Sequence, residues 1–152
     1  GEWTGTMCLT EPHCGTDLRL MKTRAVPNPD GSWTLSGTKI FISGGDHDLT
    51  ENVVHLVLAK VPDAQGRILD DLSKVSLFLV SKRSIDPATG ELGGANGVVT
   101  AGIEHKMGLK GNATCSLAFE ESVAYRLGES ASATGAQRKS SAGMRGMLEM
   151  MK

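Results

Sequence analysis

Basic clusters, aromatic residues and long apolar runs are all scarce in this sequence of 152 residues. With a formal net charge of −1 and no lysine or arginine run interleaved with aromatics, the chain lacks the features of a nucleic-acid-binding surface. No apolar stretch approaches the ~20 residues that a membrane-spanning helix needs. No signal peptide is recognisable and the chain does not begin with methionine, so we expect it to be a piece of a longer protein.

Cysteine is also scarce, and its positions argue against a disulfide framework. Cys8, Cys14 and Cys115 cannot form a complete disulfide set, and their spacing matches no paired metal-ligand motif. Cys14 follows His13, which leaves a metal ligand or a nucleophile as one interpretation. We favour the other, small residues in a turn of a reduced, cytoplasmic protein, and predict no metal site.

Strand patterns dominate the first 119 residues. Apolar and β-branched runs separated by Pro, Gly, Asn and Asp turns predict strands over residues 4–10, 21–26, 33–35, 38–43, 53–61, 75–81, 97–105 and 114–119. Gly37 interrupts one of these runs and predicts a bend or bulge. We expect a long, mobile loop over residues 83–96. The repeated strand-and-turn pattern predicts an all-β fold, an antiparallel barrel or sandwich.

The C-terminal part of the sequence has a different composition. Residues 130–142 are rich in Ser, Ala and Gly and predict a linker or a disordered insertion. Residues 143–152 predict a short helix with Met144, Met147, Met150 and Met151 on one face. Because the sequence contains so little helix, we expect that face to pack on something outside this chain.

Two segments carry the chemical information: Met-Cys-Leu-Thr-Glu-Pro-His-Cys-Gly-Thr-Asp at 7–17 and Gly-Thr-Lys-Ile-Phe-Ile-Ser-Gly-Gly at 37–45. There is no G-x-G-x-x-G motif, which disfavours a Rossmann dinucleotide site. Hydroxyls at strand ends and an aromatic ring can hold a flavin in another way, and Thr10, Ser43 and Phe41 suit those roles. Read from the residues alone, Thr10 and Ser43 are better explained as turn residues and Phe41 as a core residue.

These segments resemble the flavin-binding segments of the acyl-CoA dehydrogenase family. The resemblance covers residues 3–129, corresponds to the family's middle β-domain, and looks closest to the long-chain bacterial branch. It implies three parts of the chain: a middle β-domain at 1–129, a linker or insertion at 130–142, and at 143–152 the start of a helix of a missing C-terminal helical domain.

The resemblance also implies an FAD site and roles for individual residues. Thr10 takes the position that bonds the flavin pyrimidine ring, Ser43 the position whose hydroxyl reaches flavin N5, and Phe41 the position that stacks on the ring. Met7 and Leu9 match positions whose backbone lines the flavin and the thioester. A further match, Thr16, corresponds to a residue that contacts the cofactor phosphate or the acyl-CoA arm.

The family catalyses α,β-dehydrogenation of acyl-CoA thioesters. A carboxylate in a C-terminal helical domain takes the α-proton, FAD takes the hydride, and electrons pass to an electron-transferring flavoprotein or, in related oxidases, to oxygen. By resemblance the complete protein is a homo-oligomer with helical domains on both sides of this one. Neither Glu11 nor Glu149 inherits the role of the base, so we predict no catalytic residue here and no activity for this chain alone. The alternative is a stand-alone β-barrel binding or interaction module without flavin.

Overall fold

The computed structural model describes residues 1–128 and 142–150 and shows a fold built almost entirely of strands. Along the chain the elements of this part are β1 (Trp3–Cys8), β2 (Arg24–Pro27), β3 (Trp33–Ile42), β4 (Asn52–Lys60), β5 (Val75–Ser81), β6 (Arg83–Ile85), β7 (Leu92–Ala95), β8 (Val98–Ile103), β9 (Cys115–Leu127) and α1 (Ala142–Met150). The predicted all-β fold class is confirmed. Within the described ranges, no helix is long and apolar enough to cross a membrane.

The main sheet closes into a barrel. Its strand order is β1-β4-β2-β3-β9-β5, and a further antiparallel pairing between β4 and β5 joins the end of this series back to β4. Strand β8 pairs with the first half of β9, while β5 pairs with its last residues. Strands β6 and β7 form a separate two-stranded sheet. Closure leaves one apolar interior that the strands share.

Most of the pairings are antiparallel, but β1 lies parallel to β4, with Trp3 opposite Asn52 and Cys8 opposite Val57. The sequence did not predict this pair, because two parallel strands need a long connection that leaves no local signal. The pairing places the segment that follows β1 beside the end of β3, where Ile40 N–H donates to the Thr10 carbonyl at 2.9 Å.

The barrel interior is filled by the β-branched and leucine runs that predicted β4 and β5. Phe78 and Val57 are fully buried there, and Leu117 of β9 completes the packing from the opposite wall. Trp33 meets Phe78 edge-on, with ring centroids 5.4 Å apart. Burying such side chains is worth about 1.5–3 kcal/mol each, which explains why these runs set the strand positions.

A second apolar cluster lies outside the barrel and is covered by α1. Met147 is 1% exposed and packs with Leu77 of β5, Leu58 of β4 and Met21. The expectation that the methionine face packs outside this chain was therefore wrong for Met147. The side chains of the other three predicted methionines, and the predicted linker at 130–142 except for the backbone of its last residue, lie outside the described residues.

The structure also differs from the sequence prediction in three strands, β6, β7 and β9. The predicted loop at 83–96 contains the β6–β7 hairpin. Strand β9 continues to Leu127, eight residues past the predicted end, through a left-handed Glu121 with φ of 55°. The two adjacent glutamates at 120–121 interrupt the alternation of apolar and polar residues, so the sequence did not reveal the second half of β9. Asn96 supports this half of the strand, because its side chain bonds both the N–H and the carbonyl of Val123. The predicted bulge at Gly37 is present as a register shift between β3 and β9.

Candidate functional site

The two motif segments meet at one end of the barrel. Strand β1 ends at Cys8 and strand β3 ends at Ile42. Thr10 follows the end of β1, and its carbonyl accepts a hydrogen bond from the N–H of Ile40, two residues before the end of β3. Thr10 therefore lies beside the stretch of β3 that carries Phe41 and leads to Ser43. We call the surface around these three residues, which are separated by about thirty positions in the sequence, the strand-end site.

Phe41 occupies an unusual position within this site. Its φ of 59° is left-handed, a region that costs a non-glycine residue about 1–3 kcal/mol. It lies in a register shift between β3 and β9, and 52% of the residue is exposed. Lys106 approaches the ring, with Nζ 5.7 Å from the centroid. The bulge thus presents an aromatic face to solvent instead of to the core.

The hydroxyls of Thr10 and Ser43 are available for a ligand. Thr10 is half-buried and Ser43 is exposed, and neither hydroxyl has a hydrogen-bond partner among the described residues. The backbone after Ser43 is fixed, since Gly45 N–H donates to the Ile42 and Ala113 carbonyls at 3.1 Å. Two uncommitted hydroxyls on fixed strand ends are suited to bond a polar ring edge.

The remaining predicted residues lie along the same segment at different depths. Met7 points outward from β1 and is 45% exposed, whereas Leu9 is half-buried and packs against the second apolar cluster. The backbones of Glu11 and Cys14 bond each other reciprocally, at 2.8 and 3.1 Å, and turn the chain after Thr10. Gly15 then lies beside Thr10, since a Cβ added there would be 3.5 Å from Thr10 Cγ2, and the exposed Thr16 follows.

A buried ion pair lies beneath the site, and the sequence analysis assigned it no role. Lys39 and Glu11 have side chains 0% and 1% exposed, and Lys39 Nζ lies 2.9 Å from Glu11 Oε1. Glu11 also accepts bonds from the N–H groups of Lys22 at 2.7 Å and Thr23 at 3.1 Å. Glu11 thus has a structural role, in which it binds two backbone amides as well as Lys39. The sequence did not indicate that Lys39 is buried, because a lysine within a β-strand is ordinarily exposed.

The ion pair keeps Glu11 ionised. Burial alone would raise the pKa of Glu11, but the Lys39 ammonium and the donated hydrogen bonds outweigh it and hold the pKa below its usual value. Burial lowers the pKa of Lys39, while Glu11 opposes that shift. Both partners are therefore committed to each other, and neither is free for acid–base work.

The same segment brings Glu11, His13 and Cys14 together, with possible ligand atoms within 4.8 Å of one another. These groups are otherwise engaged, because Glu11 already binds Lys39 and two amides and His13 Nε2 lies 3.0 Å from the Leu20 carbonyl. Burial raises the pKa of Cys14, which disfavours the thiolate that a metal needs. The state of these three possible ligands thus favours the interpretation of Cys14 as a turn residue.

Comparison with known proteins identifies the family. Residues 6–122 match the family model described as acyl-CoA dehydrogenase, middle domain. The chain belongs to the acyl-CoA dehydrogenase family. The resemblance inferred from the two motif segments is confirmed, and the strand-end site is formed by both of them.

Individual relatives agree with this assignment. The chain is 43% identical to 3-methylmercaptopropionyl-CoA dehydrogenase of Ruegeria pomeroyi, over 85% of this chain and 21% of the relative. It is 49% identical to a broad-specificity linear acyl-CoA dehydrogenase of Mycobacterium tuberculosis, over 77% of this chain and 19% of the relative. The chain thus spans about a fifth of the length of these relatives.

A solved acyl-CoA dehydrogenase from Bacillus anthracis, complexed with FAD, is similar in structure. It superimposes with a TM-score of 0.59 at 29% identity, over 82% of this chain and 18% of that one. The shared fold extends the family assignment to the barrel itself.

Proposed function

We propose that this chain is the FAD- and acyl-CoA-binding middle domain of a flavoenzyme that catalyses α,β-dehydrogenation of acyl-CoA thioesters. One observation carries the proposal: the bond from Ile40 N–H to the Thr10 carbonyl joins the two motif segments that hold Thr10, Phe41 and Ser43, and family membership leads us to expect the flavin there.

The chemistry of these residues fits a flavin. Phe41 offers an exposed ring for stacking, and Thr10 and Ser43 offer hydroxyls that no described residue engages. The backbone strain at Phe41 supports a functional role, because strained conformations concentrate at ligand sites.

Each residue then has a definite task in the proposed enzyme. FAD supplies the hydride acceptor when bound. Thr10 donates to its pyrimidine edge and Ser43 donates near N5, where preorganised donors stabilise the charge that reduction adds. Phe41 covers one face of the ring and orients it. The backbone at Met7 and Leu9 lines the flavin and thioester, and Thr16 holds the cofactor phosphate or the acyl-CoA arm.

The proton-transfer step belongs to another part of the proposed enzyme. Glu11 is buried against Lys39, so we assign it no role as a base. We infer that the catalytic carboxylate comes from a C-terminal helical domain, of which 143–152 is the beginning. An electron-transferring flavoprotein as acceptor, a homo-oligomeric assembly and a cytoplasmic location complete the proposal.

The decisive experiment uses the complete protein. We expect it to purify yellow with bound FAD, and we expect an acyl-CoA to bleach the flavin band under anaerobic conditions. Oxygen uptake during turnover would distinguish an oxidase from a dehydrogenase. A colourless protein that neither binds FAD nor reacts with an acyl-CoA would instead support a stand-alone β-barrel interaction module.

A matched pair of variants locates the site. Phe41→Ala removes the proposed stacking ring, whereas Val99→Ala removes an apolar side chain of β8 that is 43% exposed and has no assigned contact with FAD. We expect FAD to dissociate more readily from the first variant only. Equal retention of FAD by both variants would mean that the flavin lies elsewhere.

A further inference from the structure

Burying the Lys39–Glu11 pair has a high free-energy cost, and the position of the pair suggests a role beyond stability. Removing two charges from water usually costs as much as their mutual attraction returns, so such a pair is weak support for stability alone. Both side chains are almost completely buried, directly under the strand-end site. Apolar side chains could fill the same space at lower cost.

The contacts of Lys39 connect it to the backbone that presents Thr10. Its ammonium donates to the Leu9 carbonyl at 3.0 Å and to Glu11 Oε1 at 2.9 Å, the residues on either side of Thr10. The adjacent Ile40 N–H donates to the Thr10 carbonyl at 2.9 Å. Three consecutive residues of this segment are thereby bonded to two consecutive residues of β3.

Glu11 fixes the other side of the same segment. Its carboxylate accepts from the N–H groups of Lys22 and Thr23, just before β2. The pair therefore joins three parts of the chain at the point where Thr10 leaves the barrel. The net charge of the pair is zero, because one positive and one negative group are held together out of water.

We propose that Lys39 and Glu11 act as a positioning pair that holds the Leu9–Thr10 backbone against β3 and keeps the charge beneath the flavin balanced. This inference rests on the proposed function. It assigns the pair no contact with the reacting atoms. It adds an electrostatic consequence, namely that removing either partner leaves a charge that the bound flavin senses.

Single neutral substitutions test the charge balance in the complete FAD-loaded protein. At a pH low enough to keep Lys39 protonated without its partner, Glu11→Gln leaves the ammonium unbalanced and is expected to raise the flavin midpoint potential, because a nearby positive charge favours the reduced flavin. Lys39→Met leaves the carboxylate unbalanced and is expected to lower that potential. At an effective dielectric constant of about 20 and a distance of about 10 Å, one charge changes the reduction equilibrium by roughly tenfold, or about 30 mV for two electrons.

The double variant separates charge balance from general damage. Glu11→Gln with Lys39→Met removes both charges and is expected to return the potential to within a few-fold of the wild-type equilibrium. If a single variant loses FAD, the double variant is expected to regain it. Shifts of both single variants in the same direction, no shift in either, or a double variant no closer to wild type than the single ones would each overturn the proposal.

Two controls complete the design. Asp63→Asn breaks the pair between Asp63 and the exposed Arg67 and changes the net charge by the same amount as Glu11→Gln, with no expected effect on potential. Asn96→Ala removes buried hydrogen bonds to the Ser81 and Val123 carbonyls, so it lowers stability without altering charge. A potential shift with either control equal to that of Glu11→Gln would also contradict the inference.

A wild-type protein without FAD would refute the proposed function itself. This outcome differs from that of an FAD-loaded protein whose variants show no shift in potential.

Discussion

Phe41 has a backbone conformation that few residues other than glycine adopt. The surrounding hydrogen bonds hold it there: Ile40 is bonded to Thr10 on one side, and Gly44 N–H donates to Asn112 Oδ1 at 3.1 Å on the other. In return for a strain of about 1–3 kcal/mol, the ring leaves the barrel interior and faces outward. The strand-end site therefore depends on the backbone of a single residue.

The hydroxyls of Thr10 and Ser43 give the first prediction at the residue scale. In the complete enzyme, Thr10→Ala and Ser43→Ala should each slow flavin reduction more than they weaken acyl-CoA binding. Each substitution removes a hydrogen bond to the ring that accepts the hydride, a loss of about 1–3 kcal/mol if the flavin group stays buried. Anaerobic stopped-flow reduction at saturating acyl-CoA measures this effect.

A second hydroxyl substitution supplies the control for these rates. Thr34→Ala removes a hydroxyl whose assigned bond is to Asn28 Oδ1, near the opposite end of β3. We expect its rate of flavin reduction to match wild type. If both site variants also reduced FAD at the wild-type rate, the flavin would be wrongly placed.

His55 shows how burial can make stability depend on pH. It is fully buried, its Nδ1 is 2.7 Å from the Thr6 hydroxyl, and its Nε2 has no hydrogen-bond partner in the part of the chain that the structure describes. Burial lowers the pKa of His55 from 6.5 to about 4, against a smaller opposing effect of Asp46. The folded protein therefore holds this imidazole neutral.

The second prediction follows from that pKa difference. Above about pH 6.5 neither state binds the proton, whereas between about pH 6.5 and 4 the unfolded state binds it and the folded state does not. The free energy of unfolding should therefore fall as the pH falls, by about 2 kcal/mol from pH 7 to pH 5 for this group alone. Urea unfolding at several pH values measures it, and His55→Gln should show a shallower dependence. Equal slopes for the two proteins would contradict the prediction.

At the scale of elements, β3 depends on a close approach at Gly37. A Cβ at this position would lie 2.3 Å from Thr23 Oγ1 and 2.7 Å from Thr23 Cα, so neither a rotamer change nor a small shift would relieve the contact. The glycine lets the segment leading into β2 cross β3 beside the register shift. Thr23 also supplies one of the amides that Glu11 accepts.

Gly37→Ala is therefore predicted to destabilise the barrel by about 1–3 kcal/mol, since overpacking against backbone forces the strands apart. Gly102→Ala in β8 is the matched control, because a Cβ there meets nothing within 4 Å and its φ is not left-handed. We expect that control to change stability by less than about 0.5 kcal/mol. Chemical denaturation of both variants compares them, and equal stability would contradict the proposed crowding.

Comparison of individual elements shows what the sequence can predict. Strands β4 and β5 were recognised because near-continuous runs of Val and Leu suit strands buried on both faces, here the barrel interior and the cluster under α1. The short glycine-containing strand β7 was missed, since Leu92–Ala95 has no such run and is held by pairing with β6. The parallel β1–β4 pair depends on contacts between distant segments and could not be derived from either strand.

The candidate site, too, was predicted only in part. The roles of Thr10, Phe41 and Ser43 stay predictions from their motifs, and in the structure the bond from Ile40 N–H to the Thr10 carbonyl joins the two segments that hold them. The left-handed φ of Phe41 and the burial of Lys39 were not predicted, because both arise from the crossing of two segments. A lysine within a β-strand is ordinarily exposed, so its sequence alone favoured the opposite orientation.

At the scale of the whole molecule, the barrel is closed but its functional end is open. The relative solvent exposures of Phe41, Ile103 and Met107 are 52%, 69% and 101%. Lys106, which lies over the Phe41 ring, brings the segment after β8 next to the site. Exposed apolar side chains near a ligand site are typical of surfaces that contact other groups. The relatives are about five times longer than the region that matches here.

The last prediction concerns the 152-residue chain on its own, which should bind FAD weakly and show no dehydrogenase activity. The family resemblance assigns the α-proton to a carboxylate of a C-terminal helical domain, and loss of a general base costs about 10²–10⁴-fold in rate. The strand-end site also offers one wall for a flavin, whereas ligand sites normally bury about 70–90% of a ligand. Isothermal titration calorimetry with FAD and anaerobic addition of an acyl-CoA test both parts. Tight FAD binding would show that one wall is sufficient, and flavin bleaching by the acyl-CoA would show that a base lies within this chain.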